Sequence, residues 1–181
     1  MTPKDIYSKI NEILKQDGFR YNDTKKLIES SLKAKCREVE IKFKGNLSVY
    51  KFDNTPNFFP FFAQGEQNML CDYFIFHLTE DKLNIFLCNL KSEKLTKNTH
   101  QQIYAGHIFG KFIIESACRV LDGQSFPESI VQFRAIHFNL KTPKLSVNPR
   151  NIKFSKYSNG LEYMFLSCRD VVNFEILTKI K

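Results

Sequence analysis

Residues 71–93, CDYFIFHLTEDKLNIFLCNLKSE, constrain the fold more than any other part of this chain. Two apolar runs of strand length, rich in Phe, Ile and Leu, flank a short polar turn at 79–82. A turn of this length joins antiparallel neighbours, so the pattern is typical of a β-hairpin. Folding the hairpin between Glu80 and Asp81 sets Leu78 opposite Leu83.

The register of this hairpin brings polar residues together at its open end. Side chains alternate across a strand, so Asp72 shares a face with Phe74 and Phe76. In this register Asp72 lies opposite Asn89, and Lys91 is its diagonal neighbour. The sequence therefore predicts that a carboxylate, an amide and an ammonium meet at the end of an otherwise apolar hairpin.

Asp72 and the triplet 89–91 (Asn-Leu-Lys) resemble the PD-(D/E)xK nuclease superfamily. In that family an Asp opens one central strand and an acid-x-Lys triplet closes the next. The helix that follows often carries a Gln before an apolar residue, and 101–103 (Gln-Gln-Ile) is similar. The resemblance covers residues 71–121 and implies a restriction-endonuclease-like fold. It departs from the family at Asn89, where the second acid is expected.

The resemblance also implies a role for each of these residues. Phosphodiester hydrolysis requires a divalent cation on oxygen ligands, an activated water and a positive charge near the developing negative charge. The cation would be Mg²⁺ or Mn²⁺, and Lys91 would orient the water or stabilise the phosphate. Gln102 or Gln101 would position the phosphate or the water. The implied metal ligands are Asp72, the amide oxygen of Asn89 and the carbonyl oxygen of Leu90.

A further acid is a second implication of the resemblance. In related nucleases a Glu from an N-terminal helix often joins the site, and the sequence offers Glu29 and Glu38. The pattern does not choose between them, and a solvated helix face is the competing interpretation for both.

Composition is compatible with a polyanionic partner. The chain has 181 residues, 43% of them hydrophobic, which is enough to bury the core of one domain. Its formal net charge is +8. Basic residues that follow the hairpin and the last long strand are expected either to contact phosphate or to be ordinary solvated side chains. They are Lys94, Lys97, Lys141, Lys144, Arg150, Lys153 and Lys156.

The five cysteines are scattered and show no CxxC spacing. A disulfide scaffold or a zinc ribbon would show close pairs, so we expect buried, reduced thiols and a cytoplasmic protein. The first ten residues contain no apolar signal core, and no apolar run reaches the length of a membrane span.

The rest of the chain alternates between helical and strand patterns. Helical spacing of apolar residues predicts a helix after Pro3, a second helix within 22–34 and a long helix over 99–121. Strands are predicted at 39–43, 47–52, 130–140 and 161–168, and residues 171–180 form a last strand or a short helix.

A Phe-rich stretch precedes the hairpin. Residues 53–65 contain four phenylalanines around Pro60. These side chains either pack in the core or form a surface at 58–62 that docks a partner protein, a second copy of the chain or nucleobases.

The order of these elements predicts one α/β domain over 1–181, with a helical part at 1–38 and a single mixed sheet flanked by helices over 39–181. Two functions follow. One is a Mg-dependent nuclease or nuclease subunit of restriction or phage-defence type, acting on nucleic acid, DNA in preference to RNA. The alternative is a non-catalytic nuclease-like module that binds nucleic acid or a partner protein. Asn89 favours the alternative, because a neutral amide binds Mg²⁺ more weakly than a carboxylate does.

Overall fold

The computed structural model describes residues 1–14, 19–21, 25–30, 34–52, 70–90, 96–121, 128–140, 142 and 153–180. The helices in these ranges are α1 (Pro3–Ile13), α2 (Lys97–Leu121) and α3 (Phe174–Lys179). The strands are β1 (Lys26–Ile28), β2 (Glu38–Lys42), β3 (Asn46–Tyr50), β4 (Tyr73–Leu78), β5 (Leu83–Leu90), β6 (Val131–Asn139), β7 (Ser155–Lys156), β8 (Glu162–Ser167) and β9 (Val171–Asn173).

Six strands form the main sheet in the order β3-β4-β5-β6-β8-β7. β4 and β5 pair antiparallel with Leu78 opposite Leu83, so the predicted hairpin and its register are confirmed. β5, β6 and β8 run parallel to one another, whereas β3 and β7 join antiparallel. The prediction of an α/β fold with a mixed sheet flanked by helices is therefore confirmed.

The main sheet separates two apolar layers. On one face, α1 and α2 pack against β4 and β5, where Phe76 and Ile113 belong to one buried cluster. On the other face, the ring of Phe86 meets that of Phe174 from α3, with 4.8 Å between centroids. Because β5 lies between the two layers, every residue of this strand is buried.

Two glycines allow α2 to lie close to the sheet. A Cβ atom at Gly106 would stand 2.7 Å from Sγ of Cys71, and one at Gly110 would stand 2.8 Å from Cε1 of Phe133. Side-chain atoms do not approach so closely, so a Cβ atom at either position would have to displace its neighbour. This contact fixes the first half of α2 against the strands that carry the candidate site.

The prediction of a second helix within 22–34 is wrong. Residues Lys26–Ile28 form β1, which joins β2 and β9 in a separate three-stranded sheet. Three residues are too few to distinguish a helical period from a strand period. The conformation of β1 is determined by its antiparallel pairing with β2, which also buries Leu27 fully. The chain therefore has a second sheet beside the predicted one, and the part at 1–38 is not all helical.

Most other predicted elements are present with shifted ends. The predicted strands at 39–43, 47–52, 130–140 and 161–168 correspond to β2, β3, β6 and β8, and residues 171–180 contain both β9 and α3. α2 begins at Lys97, before the predicted start at residue 99, because the hydroxyl of Thr96 accepts the N–H of Thr99 at 3.3 Å.

The structure also bears on the predictions for the cysteines, for membrane spans and for the Phe-rich stretch. All five cysteines are buried free thiols, as predicted. Within the described ranges, no helix is long and apolar enough to cross a membrane. The Phe-rich residues 58–62 lie outside the described residues, and so their two interpretations stay open.

Candidate functional site

The parallel strands β5, β6 and β8 end at one edge of the main sheet, at Leu90, Asn139 and Ser167. β4 runs antiparallel to β5 and begins at the same edge, so Asp72 lies beside the end of β5. In open α/β sheets, ligands bind outside the carboxyl ends of the strands. We refer to this part of the sheet as the carboxyl edge.

At the carboxyl edge, the side chains of Asp72 and Asn89 each accept a hydrogen bond from the backbone of the other's strand. The N–H of Asp72 donates to Oδ1 of Asn89 at 3.1 Å, and the N–H of Leu90 donates to Oδ2 of Asp72 at 2.6 Å. Both side chains are buried, with 5% and 0% of their surface exposed. A hydrogen bond from a backbone N–H to a carboxylate is short and strong. The pair therefore closes the open end of the hairpin, and the contact follows from the predicted register.

The amide of Asn89 is only partly used by this pair. Its Nδ2 is buried and has no hydrogen-bond partner among the described residues. The residue opposite Asn89 on β6 is His137, which is 1% exposed. Asp72, Asn89 and His137 thus form a polar row across β4, β5 and β6.

His137 is oriented by a tyrosine from the end of β7. The hydroxyl of Tyr157 lies 2.5 Å from Nε2 of His137. Burial raises the pKa of Tyr157 above its usual range, and the neighbouring Tyr163 adds to the shift. The hydroxyl therefore stays protonated, and the tautomer of the imidazole decides whether the hydroxyl or Nε2 is the donor in this hydrogen bond.

The structure also distinguishes the two candidate N-terminal acids. Burial raises the pKa of the Cys36 thiol, the neighbouring Cys168 adds to this shift, and the negative charges of Asp72 and Glu29 add smaller contributions. Hydrogen bonds of 2.9 and 2.6 Å between the backbone of Ile28 and the hydroxyl of Tyr73 hold the end of β1 beside the start of β4. Glu29 therefore follows a segment that is held beside the start of β4, on the face of the sheet that carries Tyr73.

Glu38 has a different environment. Its carboxylate pairs with Nζ of Lys26 at 2.8 Å, and about half of each side chain is exposed. This is an ordinary surface ion pair between β1 and β2. Of the two predicted acids, Glu29 is the one that follows a segment bound to the start of β4.

The glutamines of α2 lie near the predicted position. Gln101 and Gln102 occupy the first turns of the helix and are both half-buried. Oε1 of Gln101 is buried and has no hydrogen-bond partner within the described ranges. Several other predicted residues lie outside the described residues. They are Lys91, Lys94, Lys141, Lys144 and Arg150.

Three predicted phosphate-binding lysines are described, and they do not share one surface. Lys97 is exposed on the first turn of α2, and Lys153 is exposed just before β7, on the side of the carboxyl edge. Lys156 lies opposite Glu162, whose carboxylate accepts the Nε–H of Arg134 at 2.9 Å on the face away from α2. Of these three lysines, Lys97 and Lys153 are therefore the ones on the side of the carboxyl edge.

Asp72 and Asn89 do not by themselves complete a metal site. The oxygen of Asn89 accepts the N–H of Asp72, and an oxygen of Asp72 accepts the N–H of Leu90. Mg²⁺ favours negatively charged oxygen ligands, and this pair supplies a single carboxylate. In the described parts of the chain, no three His, Cys, Asp or Glu side chains form a group that could hold a metal ion.

Sequence reasoning missed the contribution of His137 and Tyr157. Alternation along β6 puts His137 on the face of Ala135, which is visible in the sequence. Its partner is not visible there, because Tyr157 is brought to it by a strand of only two residues.

Comparison with known proteins identifies no relative. No family model matches the chain, and neither a curated protein nor a solved structure is significantly similar to it. The fold and the site define the class of this protein as a mixed α/β domain with a buried polar row at its carboxyl edge.

Proposed function

We propose that this protein is a nuclease-like module that binds nucleic acid at the carboxyl edge without cutting it. The observation that carries this proposal is the reciprocal hydrogen bonding of Asp72 and Asn89. Oxygens that accept buried backbone N–H groups hold strand ends together, since leaving such groups unpaired is costly. Here the side-chain oxygens of Asp72 and Asn89 accept backbone N–H groups of the sheet, at the positions where the resemblance puts a catalytic pair.

Charge supports the binding part of the proposal. A net charge of +8 attracts a polyanion, and phosphate contacts supply most of the affinity of non-specific nucleic-acid binding. Lys97 and Lys153 are exposed beside the carboxyl edge, where a strand can reach them. A role in restriction or phage defence, which the resemblance implies, is part of the same proposal.

A Mg²⁺- or Mn²⁺-dependent nuclease is the second candidate function, and the position of Glu29 favours it. The backbone of Ile28 is bound to the hydroxyl of Tyr73, so Glu29 follows a segment that is held beside the start of β4. The Glu29 carboxylate would supply the acid that Asn89 does not. Cleavage that depends on the metal, on Asp72 and on Glu29 would establish this function in place of the first.

The binding proposal is tested by removing charge at the carboxyl edge. We expect the double variant Lys97→Gln/Lys153→Gln to bind a labelled oligonucleotide more weakly than the parent does. Each phosphate contact contributes about 0.7–0.9 to the slope of log K against log salt, so the slope should fall by about 1.5. Fluorescence anisotropy at several salt concentrations measures both quantities.

The matched control removes the same charge from the other end of the sheet. Lys4 and Lys82 are exposed beside the groove at the hairpin turn. The variant Lys4→Gln/Lys82→Gln should keep the parent salt slope. Equal losses in the two double variants would show that net charge, and not the carboxyl edge, determines binding.

A further inference from the structure

A cleft of about 600 Å³ opens between the first two turns of α2 and the turn that joins β7 to β8. It adjoins the polar row, because Tyr157 both lines the cleft and holds His137. The polar and aromatic residues that line it are His100, Gln101, Tyr104, Tyr157 and Asn159.

One wall of the cleft is aromatic and held in place. The ring of Tyr157 stacks on that of Tyr163 with 4.2 Å between centroids, and its hydroxyl is bound to His137. The ring of His100 meets Tyr157 at 83°, with 5.2 Å between centroids. Since Tyr163 holds the ring of Tyr157 and His137 holds its hydroxyl, a ligand that contacts Tyr157 does not have to immobilise it.

The cleft also contains an acceptor that lacks a donor. Gln101 lines the cleft, and its buried Oε1 has no hydrogen-bond partner in the described part of the chain. A buried acceptor without a donor is costly. Because this oxygen is not exposed to solvent, the Gln101 amide has to turn toward the cleft to accept an N–H group from a ligand. Tyr104 is 53% exposed at the rim, so the cleft is open to solvent.

We propose that this cleft binds one nucleobase of a nucleic-acid strand. The base lies against His100 and Tyr157, and its exocyclic amine donates to Oε1 of Gln101. Lys97, one turn before Gln101, contacts the adjoining phosphate. Aromatic stacking combined with positive charge is the usual way in which single strands are bound. This inference rests on the proposed function and adds the part of the ligand that the carboxyl edge recognises.

The test compares two single-stranded pentanucleotides that differ only at the central position. One carries 2-aminopurine, a fluorescent base with an exocyclic amine, and the other carries an abasic sugar. We expect the parent to bind the first about tenfold more tightly, with quenching of its fluorescence as the base stacks. Anisotropy of a terminal label gives the affinity for both.

Two cleft variants locate the effect. His100 is exposed and Gln101 is half-buried, so His100→Leu and Gln101→Leu should fold. Each should reduce the advantage of the base to less than threefold and leave the affinity for the abasic strand unchanged. Phe112→Leu removes an aromatic side chain that is 65% exposed on the same helix but outside the cleft, and it should behave as the parent does.

The outcomes separate this inference from the proposed function. Binding of both strands with equal affinity would overturn the cleft inference and leave the proposed function standing. If neither strand binds at low salt, both are wrong. A loss of the base effect in Phe112→Leu as large as that in Gln101→Leu would also overturn the inference, because it would place the base on another part of α2.

Discussion

Asp72 lies at the start of β4, where its side chain replaces a backbone hydrogen-bond acceptor for β5. Its Oδ2 accepts the N–H of Leu90, while its own N–H is taken by Asn89. These bonds continue the ladder between β4 and β5 beyond Tyr73, the first residue of the strand. At the scale of single residues, the carboxyl edge is therefore held by side chains.

The role of Asp72 can be measured by stability. Asp72→Ala leaves the N–H of Leu90 without its acceptor and should lower the free energy of unfolding by about 1–3 kcal/mol. Asp72→Asn keeps an acceptor oxygen in the same place, so its loss should be less than about 1 kcal/mol. Denaturant unfolding of the two variants gives the comparison. If Asp72→Ala and Asp72→Asn were equally stable, the hydrogen bond from Leu90 would not be what holds the carboxyl edge together.

Asn89 permits a sharper experiment because its Nδ2 has no partner among the described residues. In Asn89→Asp a carboxylate oxygen takes that position, fully buried and beside Asp72. Without metal, the variant should lose about 3 kcal/mol, because a buried charge lacks a partner. Mn²⁺ should restore part of this loss, since a cation that binds only the folded state stabilises it. Thermal unfolding with and without Mn²⁺ measures both effects.

The control for Asn89→Asp exchanges the two groups. The double variant Asp72→Asn/Asn89→Asp carries one carboxylate, as the parent does, and keeps both acceptor oxygens. It should be more stable than Asn89→Asp and should not respond to Mn²⁺. A parent protein that itself gains stability from Mn²⁺ as strongly as Asn89→Asp would favour the nuclease function.

Among the elements, α2 determines the shape of the site. Gly106 and Gly110 bring the helix onto the sheet, so that Gln101 and His100 stand over the carboxyl edge. The helix was predictable from its period, and the hairpin from its alternation and turn, because both signals are local. β1 was not, since its three residues take their conformation from the pairing with β2.

The two glycines of α2 should respond differently to substitution. Alanine favours a helix by about 1 kcal/mol over glycine. At Gly106 this gain is opposed by the buried Sγ of Cys71, so Gly106→Ala should be destabilised by about 1–2 kcal/mol overall. At Gly110 the obstacle is the ring of half-buried Phe133, which can shift, so Gly110→Ala should be near neutral. Stabilisation of Gly106→Ala by denaturant unfolding would contradict the close packing.

In the whole molecule, the site is assembled from distant parts of the chain. The contact between Asp72 and Asn89 could be predicted, because one hairpin register fixes it. The contact between His137 and Tyr157 and the approach of Glu29 could not, because they depend on β7 and on β1 docking beside β4. Tertiary packing places these residues, and their local sequence carries no sign of it.

The most direct test of the account is one titration read in two ways. Labelled duplex DNA, single-stranded DNA and single-stranded RNA are each mixed with the parent protein at low salt in the presence of Mg²⁺ or Mn²⁺. Anisotropy measures binding, and a denaturing gel measures strand integrity. We expect at least one of the three to bind, with affinity that falls as salt rises, and every strand to remain intact. Cleavage that Asp72→Asn abolishes, or the absence of any binding, would contradict the central claim.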